Sequence, residues 1–92
     1  MPLETAITNQ IKKYLEAAPG CVVRKRHGTA WGVAGDPDLY GALNGRHFEL
    51  EVKREGNPPT ALQVKRGAEW VAAGAIYGVV HSLAEARGVL GI

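Results

Sequence analysis

The Asn44-Gly45 dipeptide constrains the fold most, because it separates two segments typical of β-strands, residues 38–43 and 46–53. Both residues tolerate the positive φ that a type I′ turn requires, so Asn-Gly between two such segments predicts a two-residue hairpin. A turn of that length places Leu43 opposite Arg46 and fixes the register outward from there. Asp38 is then predicted to lie directly opposite Glu51.

The second strand of this hairpin divides into a polar face and an apolar face, because successive side chains of a strand point to opposite sides. The polar face carries Glu49, Glu51 and Lys53, and the apolar face carries Phe48, Leu50 and Val52. We expect the apolar face to enter the core. One interpretation of the polar face is an ordinary half-exposed strand whose lysine neutralises its acids.

The predicted Asp38–Glu51 pair suggests a second interpretation. Like charges placed directly opposite on neighbouring strands destabilise a sheet, so a cation is expected between them. Mg²⁺ prefers oxygen ligands, few carboxylates and several retained waters, which suits such a pair. Lys53 lies on the same predicted face and would be placed to act on a water bound to the ion.

The rest of the chain predicts a helix, three strands, a helix, a strand and a short helix. The first helix covers residues 3–18 and ends at Pro19-Gly20, and a strand over 21–27 and a loop over 28–35 follow. After the hairpin come a loop over 54–59, a helix over 60–73, a strand over 75–81 and a helix starting at Ser82 with Glu85 completing a capping box. Apolar residues of the 60–73 helix are candidates for burial: Leu62, Ala68, Trp70 and Val71. This order predicts an α/β fold, in which a mixed sheet with a central hairpin is flanked by helices.

The composition indicates one globular domain over residues 1–92, since 46% of the 92 residues are hydrophobic and 22% are charged. A formal net charge of +2 permits nucleic-acid binding without requiring it. The one cysteine, Cys21, excludes an intramolecular disulfide and fits a reducing compartment. One cysteine and three scattered histidines give no zinc-ligand spacing. No apolar segment predicts a membrane span or signal peptide, so an intracellular protein is expected.

Four motifs in this order resemble a known family. They are Glu4 near the start of the first helix, Gly35-Asp36-Pro37-Asp38, Glu51-Val52-Lys53 in a strand, and Gln63 opening the next helix. Together they resemble the Pro-Asp…(Asp/Glu)-x-Lys nuclease superfamily and, more narrowly, the virus-type replication-repair nuclease (VRR-NUC) domain. The resemblance covers nearly the whole chain and implies a restriction-endonuclease-like core of the order αβββαβ.

The resemblance implies roles for these residues. Asp38 and Glu51 would be metal ligands, the Val52 carbonyl would add another, and Lys53 would act on the attacking water. Glu4 would join the site from the first helix, through a second metal or a water. Two of these residues have structural alternatives: Glu4 as a first-turn acid favoured by the helix dipole, and Gln63 as the closing residue of a Thr60–Gln63 capping box.

Other polar and aromatic residues have assignments that do not come from the four motifs. Glu49 shares the face of Glu51 but does not match the motif. Asp36 is expected either to pair with Lys53 or to lie in the loop. The remaining expectations are a surface or DNA-facing position for His27 and His47, base stacking or rim packing for Trp31, and a core or interface position for Trp70.

The implied function is a Mg²⁺- or Mn²⁺-dependent endonuclease that hydrolyses phosphodiester bonds in branched DNA, with a four-way junction as the first candidate. The resemblance also implies a homodimer and fits the cytoplasm of a bacterium or a phage-infected cell. The apolar C-terminal third is the expected interface, with Trp70, Ile76, Val79, Val80, Val89 and Leu90 as its candidates. The alternatives are a non-catalytic DNA-binding module, a nuclease subunit whose partner supplies specificity, and a restriction-like nuclease, for which 92 residues leave little room.

Overall fold

The computed structural model describes residues 3–28 and 30–92 and contains the predicted order of elements. In chain order these are α1 (Glu4–Glu16), β1 (Cys21–Lys25), β2 (Leu39–Leu43), β3 (Arg46–Val52), α2 (Ala61–Ala72), β4 (Ile76–Val80) and α3 (Leu83–Leu90). The predicted bounds are correct to within about two residues at each end. The expected α/β class, a mixed sheet flanked by helices in a restriction-endonuclease-like core, is confirmed.

The four strands form one sheet in the order β1-β2-β3-β4. β2 pairs antiparallel with both β1 and β3, whereas β4 pairs parallel with β3. Leu43 faces Arg46 and Leu39 faces Leu50, so the register predicted from the Asn-Gly turn is correct. Asn44 and Gly45 have φ values of 50° and 85°, as a type I′ turn requires. Asp38 directly precedes β2 and is therefore next in register, opposite Glu51.

The hydrophobic core lies between α1, α3 and one face of the sheet. The apolar face of β3 enters this core as predicted, and Phe48, Leu50 and Val52 are at most 1% exposed. The helices contribute side chains at helical spacing: Ile7, Ile11 and Leu15 from α1, and Ala86 and Leu90 from α3. The opposite, polar face of the sheet is left for α2 to cover.

The predicted burial of apolar residues in α2 is wrong for Leu62, Ala68 and Val71, whereas Trp70 is half-buried. Leu62 and Val71 are 39% and 54% exposed, Ala68 is also exposed, and Gly67 is the one fully buried residue of this described helix. The physical reason is that α2 covers acidic side chains and not an apolar surface. A close approach of its backbone to the sheet therefore matters more than large apolar side chains. A Cβ atom at Gly67 would lie 2.2 Å from the Tyr77 ring, so only glycine permits this contact.

The last helix begins as predicted at Ser82, whose Oγ accepts a hydrogen bond from the Glu85 N–H at 3.1 Å. In a capping box the Glu85 carboxylate would accept a hydrogen bond from the Ser82 N–H. Here it accepts one from the His81 N–H at 3.2 Å instead. Over the described ranges, no helix combines the length and apolar character that a membrane crossing needs.

Candidate active site

Asp38 and Glu51 meet where β2 begins and β3 nears its end. The Asp38 carboxylate accepts a hydrogen bond from the Val52 N–H at 2.8 Å, and the Asp38 carbonyl accepts one from the Arg26 N–H at 2.8 Å. These bonds fix both the backbone and the side chain of Asp38. Glu51 is 2% exposed, and its carboxyl group is within hydrogen-bonding contact of Asp38. The fold thus brings together the two carboxylates that the hairpin register predicts.

The surroundings of Glu51 disfavour its ionised form. Burial, the charge of Asp38 and the hydrogen bond with Asp38 raise the pKa of Glu51 to about 8. Lys53 opposes this rise in pKa, and Glu4 adds to it, so both residues act on the same carboxyl group. Glu51 Oε1 accepts a hydrogen bond from the Gln63 Nε2 at 3.2 Å. Glu51 Oε2 is buried and has no hydrogen-bond partner among the described residues.

Gln63 combines the two roles that the sequence left as alternatives. Its Oε1 accepts from the Thr60 N–H at 2.8 Å, and its own N–H donates to the Thr60 Oγ at 3.2 Å. These bonds form the predicted capping box at the start of α2. Because its Nε2 donates to Glu51, the same side chain also fixes the orientation of that carboxyl group.

Glu4 and Lys53 lie near enough to Glu51 for their charges to act on its carboxyl group. Glu4 is half-buried in the first turn of α1, and its Oε2 accepts a hydrogen bond from the Asn57 Nδ2 at 2.7 Å. Lys53 is 9% exposed, and its N–H donates to the Val80 carbonyl at 3.0 Å. Four of the predicted site residues, Glu4, Asp38, Lys53 and Gln63, therefore lie around the carboxyl group of the fifth, Glu51.

The residues present fit a hard divalent cation. A buried carboxylate oxygen without a hydrogen bond is costly, and a second carboxylate beside it adds repulsion. A metal ion would remove both costs, because it coordinates the orphaned oxygen and offsets both charges. Asp38 and Glu51 are the side chains that would hold it, while the Val52 carbonyl stays a predicted ligand.

Tyr77 is a neighbour of this site that the sequence did not single out. Its hydroxyl is buried without a hydrogen-bond partner in the described chain, and its pKa is raised by burial and by the charge of Glu51. Tyr77 faces Glu49 in the parallel register of β4 against β3. The available signal was its alternation within β4, which places it on the acidic face of the sheet.

Glu49, two residues before Glu51 on the same face, has a different environment. It is fully buried, and Arg26 forms two bonds to it, Nη1–Oε1 at 2.5 Å and Nη2–Oε2 at 3.1 Å. The Nε2 of His47 lies 2.5 Å from Glu49 Oε2. Glu49 is thus a neutralised structural carboxylate, and Arg26, which the sequence analysis did not select, is its partner.

Arg26 is itself held from several directions. Its Nη1 donates to the Pro37 carbonyl at 2.9 Å, and its guanidinium lies 4.4 Å from the centre of the Tyr40 ring. Asp36 lies in the loop and contacts Arg26 at 3.8 Å and the Trp70 Nε1 at 3.1 Å, so the alternative of an Asp36–Lys53 pair is not what forms.

A second group of metal-binding residue types lies at the carboxyl ends of β3 and β4. Ligand atoms of Glu55, His81 and Glu85 all lie within 4.8 Å of one another, although their spacing in the sequence gave no such signal. The Nδ1 of His81 is 2.9 Å from Glu85 Oε1, and this hydrogen bond lowers the pKa of Glu85. The start of α3 accounts for the His81–Glu85 contact, since Glu85 also accepts a backbone N–H there.

Two solved structures superpose on nearly the whole chain, and both are named as VRR-NUC domains. The structure named "VRR_NUC domain" is 29% identical, has a TM-score of 0.78, and aligns over 96% of this chain and 94% of its own. The structure named "VRR_NUC domain protein" is 17% identical, has a TM-score of 0.80, and aligns over 98% and 86%, so it shows the fold alone. No protein-family model matches the sequence. No curated protein matches it significantly.

Proposed function

We propose that this nuclease-type domain, which has the VRR-NUC fold over nearly its whole length, hydrolyses phosphodiester bonds in DNA with a bound Mg²⁺ or Mn²⁺. One observation carries the proposal: Glu51 has a buried, unpartnered carboxylate oxygen directly beside the carboxylate of Asp38. An acidic pair in which one buried oxygen has no hydrogen bond is an arrangement that a hard divalent ion stabilises.

Each residue of the site has a part in this proposal. Asp38, Glu51 and the Val52 carbonyl hold the ion, which when bound lowers the pKa of a water and offsets charge on a phosphate oxygen. Lys53 orients that water and stabilises the negative charge that develops on the phosphate. Gln63 keeps the Glu51 carboxylate turned towards the ion through its 3.2 Å hydrogen bond. Glu4 adds a carboxylate at the edge of the site, for a water or a second ion.

We expect the substrate to be branched DNA, with a four-way junction first, in replication, repair or recombination inside a bacterial or phage-infected cell. A cleavage panel on duplex, flap, splayed and four-way DNA with Mg²⁺ or Mn²⁺ tests this. Metal-dependent cutting that Asp38→Asn abolishes is the expected result. If no substrate is cut but several are bound, the chain is a DNA-binding module or a subunit that needs a partner.

A homodimer suits two incisions in a junction, and the edge strand β4 is the surface that favours one. β4 pairs with β3 on one side, and no other described strand pairs with its second side. Its sequence IYGVV contains no charge and no proline, the features that usually protect an edge from pairing. Two copies of β4 pairing about a two-fold axis would join two four-stranded sheets into one.

The exposed face of α2 lies beside this edge. Arg66 and Trp70 point from α2 towards the 34–36 loop, while Val64 and Val71 lie on the opposite flank of Gly67 and are each 54% exposed. This surface replaces part of the interface expected from the sequence, because Val80 and Leu90 are 0% and 7% exposed and belong to the core.

Light scattering of Val64→Glu and of the matched variant Val22→Glu tests the dimer. Both valines are 54% exposed, but Val22 lies on β1 at the other edge of the sheet. We expect a mass of twice 9.8 kDa for the wild type and Val22→Glu, and a monomer for Val64→Glu. A monomeric wild type, or disruption by Val22→Glu alone, would contradict this interface.

A further inference from the structure

The most exposed large apolar side chain given by the structure is that of Trp31, which is 95% exposed. The sequence allows two alternatives for Trp31, packing on the rim of the site or stacking on a base. Its exposure excludes burial against the rim. A tryptophan offers a large flat surface that is unfavourable in water and favourable against another flat ring. The position of Trp31 therefore determines which groups its ring can contact.

Trp31 lies at the tip of a loop whose base is fixed on α2. The Arg66 Nε donates to the Ala34 carbonyl at 3.1 Å, and the Trp70 Nε1 donates to Asp36 at 3.1 Å. Between these contacts, Gly35 has a φ of 84° and packs so closely that a Cβ would lie 2.7 Å from the Leu62 side chain. These contacts hold residues 34–36 on α2, and Trp31 lies three residues before Ala34.

Gly32, the neighbour of Trp31 in the chain, lines a cleft that also includes Asp38 of the proposed site. The cleft has a volume of about 620 Å³. Lys25 and His27 line it on the β1 side, and Gly32 to Asp36 line it on the loop side. A cleft of this size has room for a segment of one DNA strand, and the Lys25 ammonium group and a ring N–H of His27 suit backbone phosphates.

We infer that Trp31 stacks on an unpaired nucleobase of branched DNA next to the bond that is cut, while Lys25 and His27 contact the phosphates of that strand. The inference rests on the proposed function. In a continuous duplex both faces of each base are covered by neighbouring base pairs, so a protruding indole finds no partner there. At a junction, flap or single-stranded end a base face is uncovered, and stacking on an aromatic side chain stabilises the complex without dependence on sequence.

The test measures stacking directly on DNA that carries the fluorescent base 2-aminopurine at the branch point, with EDTA present so that the DNA stays intact. We expect wild-type protein and Trp31→Phe to quench the 2-aminopurine emission, and Trp31→Ala not to do so. Loss of one stacked base should weaken binding of branched DNA about 5- to 150-fold in Trp31→Ala, with binding of continuous duplex unchanged. Val22→Ala, which shortens an exposed side chain outside the cleft, should bind as the wild type does.

Several results would overturn the inference. One is binding of branched DNA by Trp31→Ala within twofold of the wild type. Another is an equal loss of binding affinity for continuous duplex. A third is a changed molecular mass of Trp31→Ala, which would make Trp31 a contact between copies. Cleavage by the wild type with Mn²⁺, measured in parallel, separates the two proposals. Quenching without cleavage refutes the nuclease but keeps the stacking role, and cleavage that is independent of Trp31 refutes the stacking role alone.

Discussion

Glu49 and Glu51 lie two residues apart on the same face of β3, and both are buried, at 0% and 2% exposure. Their surroundings are nevertheless opposite. Both oxygens of Glu49 contact cationic or potentially cationic groups of Arg26 and His47, whereas Glu51 faces another carboxylate and keeps one oxygen without a partner. The alternation of side chains along the strand places both residues on the same face of β3. Only the neighbours distinguish a structural carboxylate from one that is available to a ligand.

The two residues also meet the cost of burial differently. A buried carboxylate needs a paired charge and hydrogen bonds, and the two-bond contact with a guanidinium supplies both for Glu49. Glu51 has an amide donor and no bonded cation, so its pKa rises to about 8 and it tends to keep its proton when no metal is bound. A metal ion would take the part for Glu51 that Arg26 takes for Glu49.

The largest expected effect separates Glu51→Gln from Glu49→Gln. Loss of a metal ligand should reduce cleavage by about 10³-fold or more and weaken Mn²⁺ binding, since the neutral amide no longer offsets the ion. Glu49→Gln should bind Mn²⁺ as the wild type does, because Glu49 is already neutralised by Arg26. Calorimetry with Mn²⁺ and single-turnover cleavage measure the two properties. Equal loss of Mn²⁺ binding in both variants would make the acidic face one undivided site.

The raised pKa of Glu51 makes the stability of the metal-free protein depend on pH. Between the ordinary value of 4.5 and about 8, the folded protein binds a proton that the unfolded chain has released. The free energy of unfolding should therefore fall as pH rises through this range, by about 1.4 kcal/mol for each unit. Urea unfolding in EDTA from pH 5 to pH 9 measures the slope. Glu51→Gln should flatten it, and an unchanged slope in that variant would assign the dependence to another group.

Arg26→Met should lower the free energy of unfolding by about 3 kcal/mol, because it leaves the Glu49 charge buried without its principal cation. Arg24→Met is the matched control two residues earlier in the chain, since Arg24 is exposed and donates a 3.0 Å hydrogen bond to the neighbouring Val23 carbonyl. We expect a change within about 0.5 kcal/mol for that control. Thermal or urea unfolding decides between the two, and equal losses would argue against the neutralising role of Arg26.

Lys53→Ala has the smallest expected effect, a loss of cleavage of about 10²-fold with Mn²⁺ binding retained, because its proposed role is to orient water and stabilise charge. Removal of Lys53 also removes a cation that lowers the pKa of Glu51, so this pKa should be higher in the variant, and Mn²⁺ binding should be compared over a series of pH values that begins at 8 and rises. Parallel loss of binding and turnover throughout this series would make Lys53 a structural counter-ion.

The predicted parts of the fold follow from local rules. The Asn44-Gly45 turn defines the pairing of β2 with β3 residue by residue, and this is why the Asp38–Glu51 contact could be predicted. The spacing of Thr60 and Gln63 likewise predicted the cap that begins α2. The similarity to VRR-NUC domains, predicted from four short motifs, is confirmed by solved structures that align along nearly the whole chain.

The parts that sequence did not predict depend on contacts across long connections. No tight turn joins β1 to β2, so their register, and with it the Arg26–Glu49 pair, had no local signal. The burial of α2 was misjudged for a related reason. A rule that places apolar side chains inwards assumes an apolar surface underneath, and α2 instead contacts Tyr77 through Gly67 and Glu51 through Gln63.

Gln63 contacts both Thr60 and Glu51, and this limits which residues can replace it. Glutamate and glutamine are interchangeable as the closing residue of a capping box, because either side chain presents an oxygen to the backbone N–H of the N-cap residue. Here the oxygen of Gln63 is used for Thr60 and its NH₂ group for Glu51, so both ends of one amide are occupied. A glutamate would satisfy the helix and bring another negative charge to the acidic pair. The capping box alone allows glutamate or glutamine at position 63, but the contact with Glu51 allows only glutamine.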